Sequence, residues 1–162
     1  MSMIGNYLAL SVEQLDALRG NPESVSDFLY PDEGDPNCEA SLDIDKSWHL
    51  IHFLLTGSAW EGTAPLADAV LGGVELGDED VGYGPARFLI PDRVGEVAQA
   101  LARIGGDELW RRFDPAAAAA AEIYPEGWSQ DDREYVVGNY EDVVSFFRRA
   151  ADAGNAVLIY LN

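Results

Sequence analysis

The segment from Leu42 to Gly57, LDIDKSWHLIHFLLTG, constrains this chain more than any other stretch of it. It holds both histidines, Trp48 and the charged residues Asp43, Asp45 and Lys46. Asp43 has the chemistry of an N-cap, because its carboxylate can accept a first-turn N–H, and Gly57 is suited to close a helix in the left-handed conformation. The spacing therefore predicts a helix over 44–56. Ile44, Ile51 and Leu55 fall on one stripe beside Trp48, while Leu50 and Leu54 make the back apolar as well. A helix of this kind has to be buried on most of its circumference. It carries a polar stripe into the interior with it, formed by Asp45, His49, His52 and Thr56.

That stripe admits a functional and a structural reading. In the functional reading, Asp45, His49 and His52 line a cleft as metal ligands, or as an acid/base group oriented by a carboxylate, because imidazole titrates near neutral pH. In the structural reading each group is satisfied inside the core: Asp45 sits at the positive end of the helix dipole, and Thr56 bonds back to a carbonyl. The H-E-x-x-H spacing of zinc proteases is absent, and no third or fourth ligand accompanies the histidines. No metal and no cofactor are expected. Cys38, the single cysteine, stands in an acidic stretch without cationic neighbours, which makes it a poor nucleophile.

The pattern D-x-D-K-x-W-x-x-x-H-x-x-L-T-G, carried by Asp43, Asp45, Lys46, Trp48, His52, Leu55, Thr56 and Gly57, resembles the signature of the YfbM-like family of small uncharacterised bacterial proteins. The opening Met1-Ser2-Met3-Ile4-Gly5, the Pro65-Leu66 segment with Ala69-Val70-Leu71-Gly72, and Glu122-Ile123-Tyr124-Pro125 are similar to that family in the same order. The resemblance covers essentially the whole chain and implies a compact α+β domain. It brings no catalytic residues with it, and His49 stands outside the pattern.

A length of 162 residues fits a single domain over 1–162. Apolar residues at 48% and charged residues at 24% are ordinary for a folded protein. The net charge of −19 is not, and it is regional: 1–40 carries eight acids against Arg19, and 61–80 carries six acids and no base. Such a field repels phosphate backbones and anionic headgroups, so neither nucleic acid nor membrane surface is expected as a partner. A basic partner suits it, and so does plain solubility. With one cysteine, no signal-like N-terminus and no long apolar run, the expected location is cytoplasmic.

Along the chain, 3–10 reads as a strand apolar on both faces apart from Asn6, and Ser11 with Gln14 reads as a capping box opening a helix. Pro22 starts a second short helix, and 30–41 reads as a surface loop. Pro65 opens a helix through Leu71, 77–84 is a turn-rich acidic loop, and 86–90 is a short strand stopped by Pro91, with Asp92 capping the next helix. A short helix over 107–113 follows. Asp114-Pro115 opens an alanine helix, and Ser129 caps the longest helix, over 130–153, with Val136, Tyr140, Val143, Val144, Phe147 and Ala151 as its inner stripe. The run 156–161 is a buried strand. The expected fold is α+β, one compact domain in which a small mixed sheet, with strands from both chain ends, is packed by several helices.

No glycine-rich nucleotide loop, G-x-S-x-G elbow or carboxylate pair at diagnostic spacing occurs. The leading expectation is a non-enzymatic recognition domain for a small polar ligand or a basic protein. The alternative is a small enzyme with His52 as general acid/base, oriented by Asp45 or Glu122. Lys46, Trp48, Trp60 and Tyr124 are the candidate ligand-binding residues. Each also has a structural role open to it: Trp60 as a lid folded on the core, Tyr124 and Trp128 as packing, and Glu122 as a solvated surface group.

Overall fold

Both terminal strands alternate between two cores, and this explains why, Asn6 apart, they are apolar on both faces. In the computed structural model, which describes residues 2–32 and 40–162, β1 (Gly5–Leu10) and β5 (Ala156–Leu161) pair antiparallel with Tyr7 opposite Ile159. Tyr7, Val157 and Ile159 enter one core, while Leu8, Leu10, Leu158 and Tyr160 enter the other. The sheet has the order β2-β1-β5-β4-β3, with β2 at Ser41–Asp43, β3 at Val74–Glu75 and β4 at Arg87–Leu89. Every ladder is antiparallel, which corrects the expectation of mixed strand directions. The α+β class, the single compact domain and the strands from both chain ends stand as expected.

The smaller core is closed by α1 (Val12–Gly20) and α2 (Val25–Leu29), which contribute Leu15, Leu18 and Val25, together with Leu76 and, from the acidic loop, Val81. Ser11 and Gln14 make the expected capping box, each side chain bonding the other's backbone N–H. The larger core lies on the opposite face, under α3 (Trp48–Thr56), α4 (Pro91–Leu101), α5 (Gly106–Arg111), α6 (Pro115–Ala120) and α7 (Arg133–Asp152). The result is three layers, helix on sheet on helix. Among the described residues no helix is long and apolar enough to cross a membrane.

Several element boundaries differ from the sequence expectation, each for a local reason. Asp43 ends β2, opposite Asn6 in the ladder with β1, and its carboxylate accepts the Asp45 N–H at 2.7 Å, so that it caps the turn before α3 and not α3 itself. Asp45 then adopts φ 51°, and the chain makes a tight turn over Asp45–Ser47 before α3 begins at Trp48. Gly57 closes α3 as expected, at φ 78°, with its N–H on the Phe53 carbonyl. Pro91 opens α4 as its first residue and does not merely end β4, so Asp92 lies inside the first turn and does not cap it. The helix expected from Pro65 is one short 3-10 segment, Leu66–Ala69.

Ser129 caps as expected, but a 3-10 turn, Gln130–Asp132, precedes α7. The inner stripe of α7 uses Phe146 and Ala150, while Val144 and Ala151 are only half-buried. Cys38 and most of the 30–41 loop lie outside the described residues.

Segment 66–72 is pinned from the sheet. The buried phenol of Tyr7 donates to the Ala69 carbonyl at 2.6 Å, and the Arg87 guanidinium donates to the carbonyls of Val70 and Gly72. This arrangement places α3, at the centre of the larger core, between the sheet and two loops, 57–64 and 122–128. The candidate site lies where those loops meet it.

Candidate functional site

Trp48 and His49 are consecutive at the start of α3 and both are fully buried. Their rings stack at 4.9 Å and 13°. Tyr124 lies against Trp48 at 5.9 Å, and Trp60 lies against His49 at 4.4 Å. Three of the residues marked in the sequence for ligand binding, Trp48, Trp60 and Tyr124, are thus brought into one aromatic stack running from the sheet side to the surface. Its inner end is fixed by Met3, whose N–H donates to the Tyr124 phenol and whose carbonyl accepts the Trp48 indole N–H. Trp60 combines both roles considered for it: one side meets His49, yet the residue stays 62% exposed.

The two histidines hold the loops. His49 Nε2 is 2.9 Å from the Ala59 carbonyl, and its Nδ1 accepts the Tyr124 backbone N–H at 2.8 Å. A carbonyl can only accept and an N–H can only donate, so the ring is neutral with its proton on Nε2. His52 is 1% exposed, and its Nε2 meets the Glu61 carbonyl at 2.9 Å, while Nδ1 is buried without a hydrogen-bond partner among the described residues. Burial pushes both imidazoles below their ordinary value of 6.5, and the carbonyl hydrogen bonds offset this in part. Thr56 bonds back to the His52 carbonyl, as the stripe suggested.

Asp45, Lys46 and Glu122 lie apart from His52's hydrogen bonds. The left-handed turn at Asp45 swings its carboxylate to the Tyr135 phenol, which donates to Oδ2 at 2.8 Å and accepts the Lys46 N–H at 3.1 Å. Burial and the Asp45 carboxylate push the Tyr135 phenol up to about 12. Glu122 is exposed at φ 55° on the far side of the 122–128 loop. Of the expected groupings, the structure makes the aromatic one and joins His49 to Tyr124. It gives the carboxylate of Asp45 to Tyr135 and leaves His52 enclosed under the 57–64 loop. Among the described residues no group of three or more His, Cys, Asp or Glu is placed to hold a metal.

Two adjoining grooves flank the 122–128 loop. One, of about 300 Å³, lies between the Asp45–Ser47 turn and the start of α7; Asp45, Glu126 and Asp132 edge it, and Trp128 and Tyr135 form an aromatic wall. Those two rings lie nearly parallel, 6.3 Å apart at 24°. Among the described residues Lys46 is the one cation in its lining. The other, of about 280 Å³, runs over Ala118, Ala119 and Ile123, with Glu122 and Glu126 at its rim. Glu126, Gly127 and Trp128 are shared by both grooves.

Tyr135, Trp128, Glu126 and Asp132 were not among the sequence candidates. One signal for Tyr135 exists in the sequence: it is an aromatic residue on α7 just outside the stripe of Val136, Tyr140 and Val143. The 38% exposure of Tyr135 agrees with that position.

A family model described as a domain of unknown function, DUF1877, matches residues 1–160. Protein YfbM of Escherichia coli (strain K12) is 27% identical over 167 residues, spanning 98% of this chain and 97% of that protein. The crystal structure of YfbM from Escherichia coli, described as a protein of unknown function, matches with a TM-score of 0.74 and 26% identity, covering 98% of this chain and 99% of that one.

Proposed function

This chain belongs to the DUF1877 family of domains of unknown function, and on that premise we propose that it is a non-enzymatic recognition domain for a basic protein segment, with the groove between the Asp45–Ser47 turn and α7 receiving a lysine or arginine side chain. The observation that carries this reading is the pairing of an aromatic wall, Trp128 and Tyr135, with carboxylates at the rim from Asp45, Glu126 and Asp132. A cation over an aromatic face is attracted by the ring quadrupole, by roughly 0.5–2 kcal/mol depending on desolvation. Carboxylates at the rim add charge-assisted hydrogen bonds and orientation. The net charge of −19 speeds encounter with a basic partner and works against nucleic acid or anionic lipid.

The acid/base alternative has less support. His52 is enclosed, and neither proposed partner reaches it: the Asp45 carboxylate lies at the groove beside Tyr135, and Glu122 belongs to the other groove. His52 could reach a substrate only after the 57–64 loop lifted.

Titration of the labelled chain with a short oligo-arginine peptide, followed by NMR, tests the reading. Shifts centred on the Trp128 indole and Tyr135, lost in Trp128→Ala and weakened in Glu126→Gln with Asp132→Asn, are expected. Shifts spread evenly over the acidic surface, unchanged in Trp128→Ala, would overturn it.

A further inference from the structure

We propose that His49 is a proton-operated latch between the 57–64 and 122–128 loops, and that protonating its ring releases Tyr124 and reshapes the wall shared by the two grooves. The inference does not depend on what the grooves bind. It rests on the opposite chemistry of the two backbone groups that His49 joins: the Ala59 carbonyl at Nε2, 2.9 Å away, and the Tyr124 N–H at Nδ1, 2.8 Å away. Only the neutral ring with its proton on Nε2 satisfies both. An imidazolium donates from both nitrogens, so a second proton on Nδ1 would point at the Tyr124 N–H with no acceptor between them. The ring is fully buried, and the Tyr124 N–H would have to leave it or lose its bond at a cost.

The consequence passes along the chain. The Tyr124 carbonyl accepts the Trp128 indole N–H at 3.2 Å, and its phenol accepts the Met3 N–H at 3.0 Å. Glu126, Gly127 and Trp128 follow after Pro125 and form the part common to both grooves. A displaced Tyr124 therefore moves a groove wall, whereas the Ala59 bond is compatible with either charge state and keeps the 57–64 loop in place.

Titratable and charged groups lie on each of the three segments that meet the ring. On α3 itself the neighbour is His52, which is buried with its Nε2 donating to the Glu61 carbonyl. The 57–64 loop contributes Glu61, which is exposed, and the 122–128 loop contributes the Tyr124 phenol, held by Met3, with Glu122 and Glu126 exposed. Among the described residues no carboxylate forms an ion pair with the ring. Burial holds the neutral form, while the faces of Trp48 and Trp60 offer a charged ring partial compensation.

The test is an NMR pH titration of the full chain, labelled with nitrogen-15 and taken downward from neutral pH. Expected at the start are an Nε2–H tautomer for His49 and a hydrogen-bonded Tyr124 amide. On acidification the Tyr124 amide and the Trp128 indole should shift with the same midpoint as the His49 ring, while the β1 and β5 amides stay unchanged. In His49→Asn, whose amide oxygen can accept the Tyr124 N–H but cannot gain a proton, both signals should lose that transition. An Nδ1–H tautomer, a Tyr124 amide indifferent to His49 titration, or titration only together with collapse of the sheet amides would each overturn the latch. The wild-type titration alone decides the matter if His49→Asn does not fold.

Discussion

Gly5 and Trp48 meet with no room between them: a methyl group on Gly5 would lie 2.8 Å from the Trp48 Cβ and 3.1 Å from Ile44. The start of α3 is thus set directly against the backbone of β1, and only glycine permits that approach. Gly5→Ala should cost about 1–3 kcal/mol through overpacking. Urea denaturation of the purified variant measures it, and an unchanged midpoint would show that the helix can back away from the sheet.

His52 is a structural group first. His52→Ala should destabilise by roughly 2–4 kcal/mol, through the cavity it leaves and the loss of the bond to Glu61. His52→Gln, which can still offer an N–H to that carbonyl, should recover part of the loss. Equal midpoints for the two variants would separate the Glu61 bond from the stability of the fold.

The same residue predicts a pH effect of definite sign. Burial lowers the folded-state pKa of His52 below 6.5, so between 6.5 and that lowered value the unfolded chain binds a proton that the folded chain refuses. The contribution is fully present above 6.5 and is lost as the pH falls. The stability difference between wild type and His52→Gln should therefore shift against the wild type from about pH 8 to about pH 5. Measuring the difference, and not the wild type alone, removes the background from the many surface carboxylates. A constant difference would mean that His52 titrates alike in both states.

Tyr135 offers a spectroscopic check on the groove. With its phenol pushed up to about 12 by burial and the Asp45 carboxylate, it should ionise late in a rapid alkaline jump read by absorbance, as a component absent from Tyr135→Phe. In Asp45→Asn that component should move to lower pH, because the negative charge that opposes phenolate is gone. If the component stays in place, Asp45 is not what raises it.

Asp45 also carries backbone strain, at φ 51°. Asp45→Val, β-branched at a left-handed position, should lose about 1–3 kcal/mol, whereas Asp45→Asn should lose much less because asparagine tolerates this conformation. Thermal melts of the pair decide it, and similar losses would place the cost in the Tyr135 hydrogen bond instead.

The burial of α3, its glycine stop, the capping box at Ser11, the cap at Ser129 and the two terminal strands were legible in the sequence because each depends on residues close together in the chain. The start of α3 was not. Asp43 has good cap chemistry, but the ladder with Asn6, far away in sequence, takes it into β2 and forces the turn at Asp45. The site was half legible for a related reason. Trp48, Trp60 and Tyr124 were marked as individual residues, yet their stacking depends on two loops folding onto one helix. Tyr135 is paired with Asp45 across 90 positions of sequence, a relationship no local pattern encodes.

The position of β5 has a further consequence for how this molecule comes into being. β5 follows every other described element in the chain, yet it lies at the middle of the order β2-β1-β5-β4-β3. A ribosome making this chain releases both outer pairs of strands before the one that joins them. Until Ala156–Leu161 emerges, the apolar faces of β1 and β4 have no common neighbour, and both cores stay open to solvent. The pairing that closes both cores, β1 with β5, is therefore one of long sequence separation, the kind of contact that slows folding and leaves strand edges exposed while it forms.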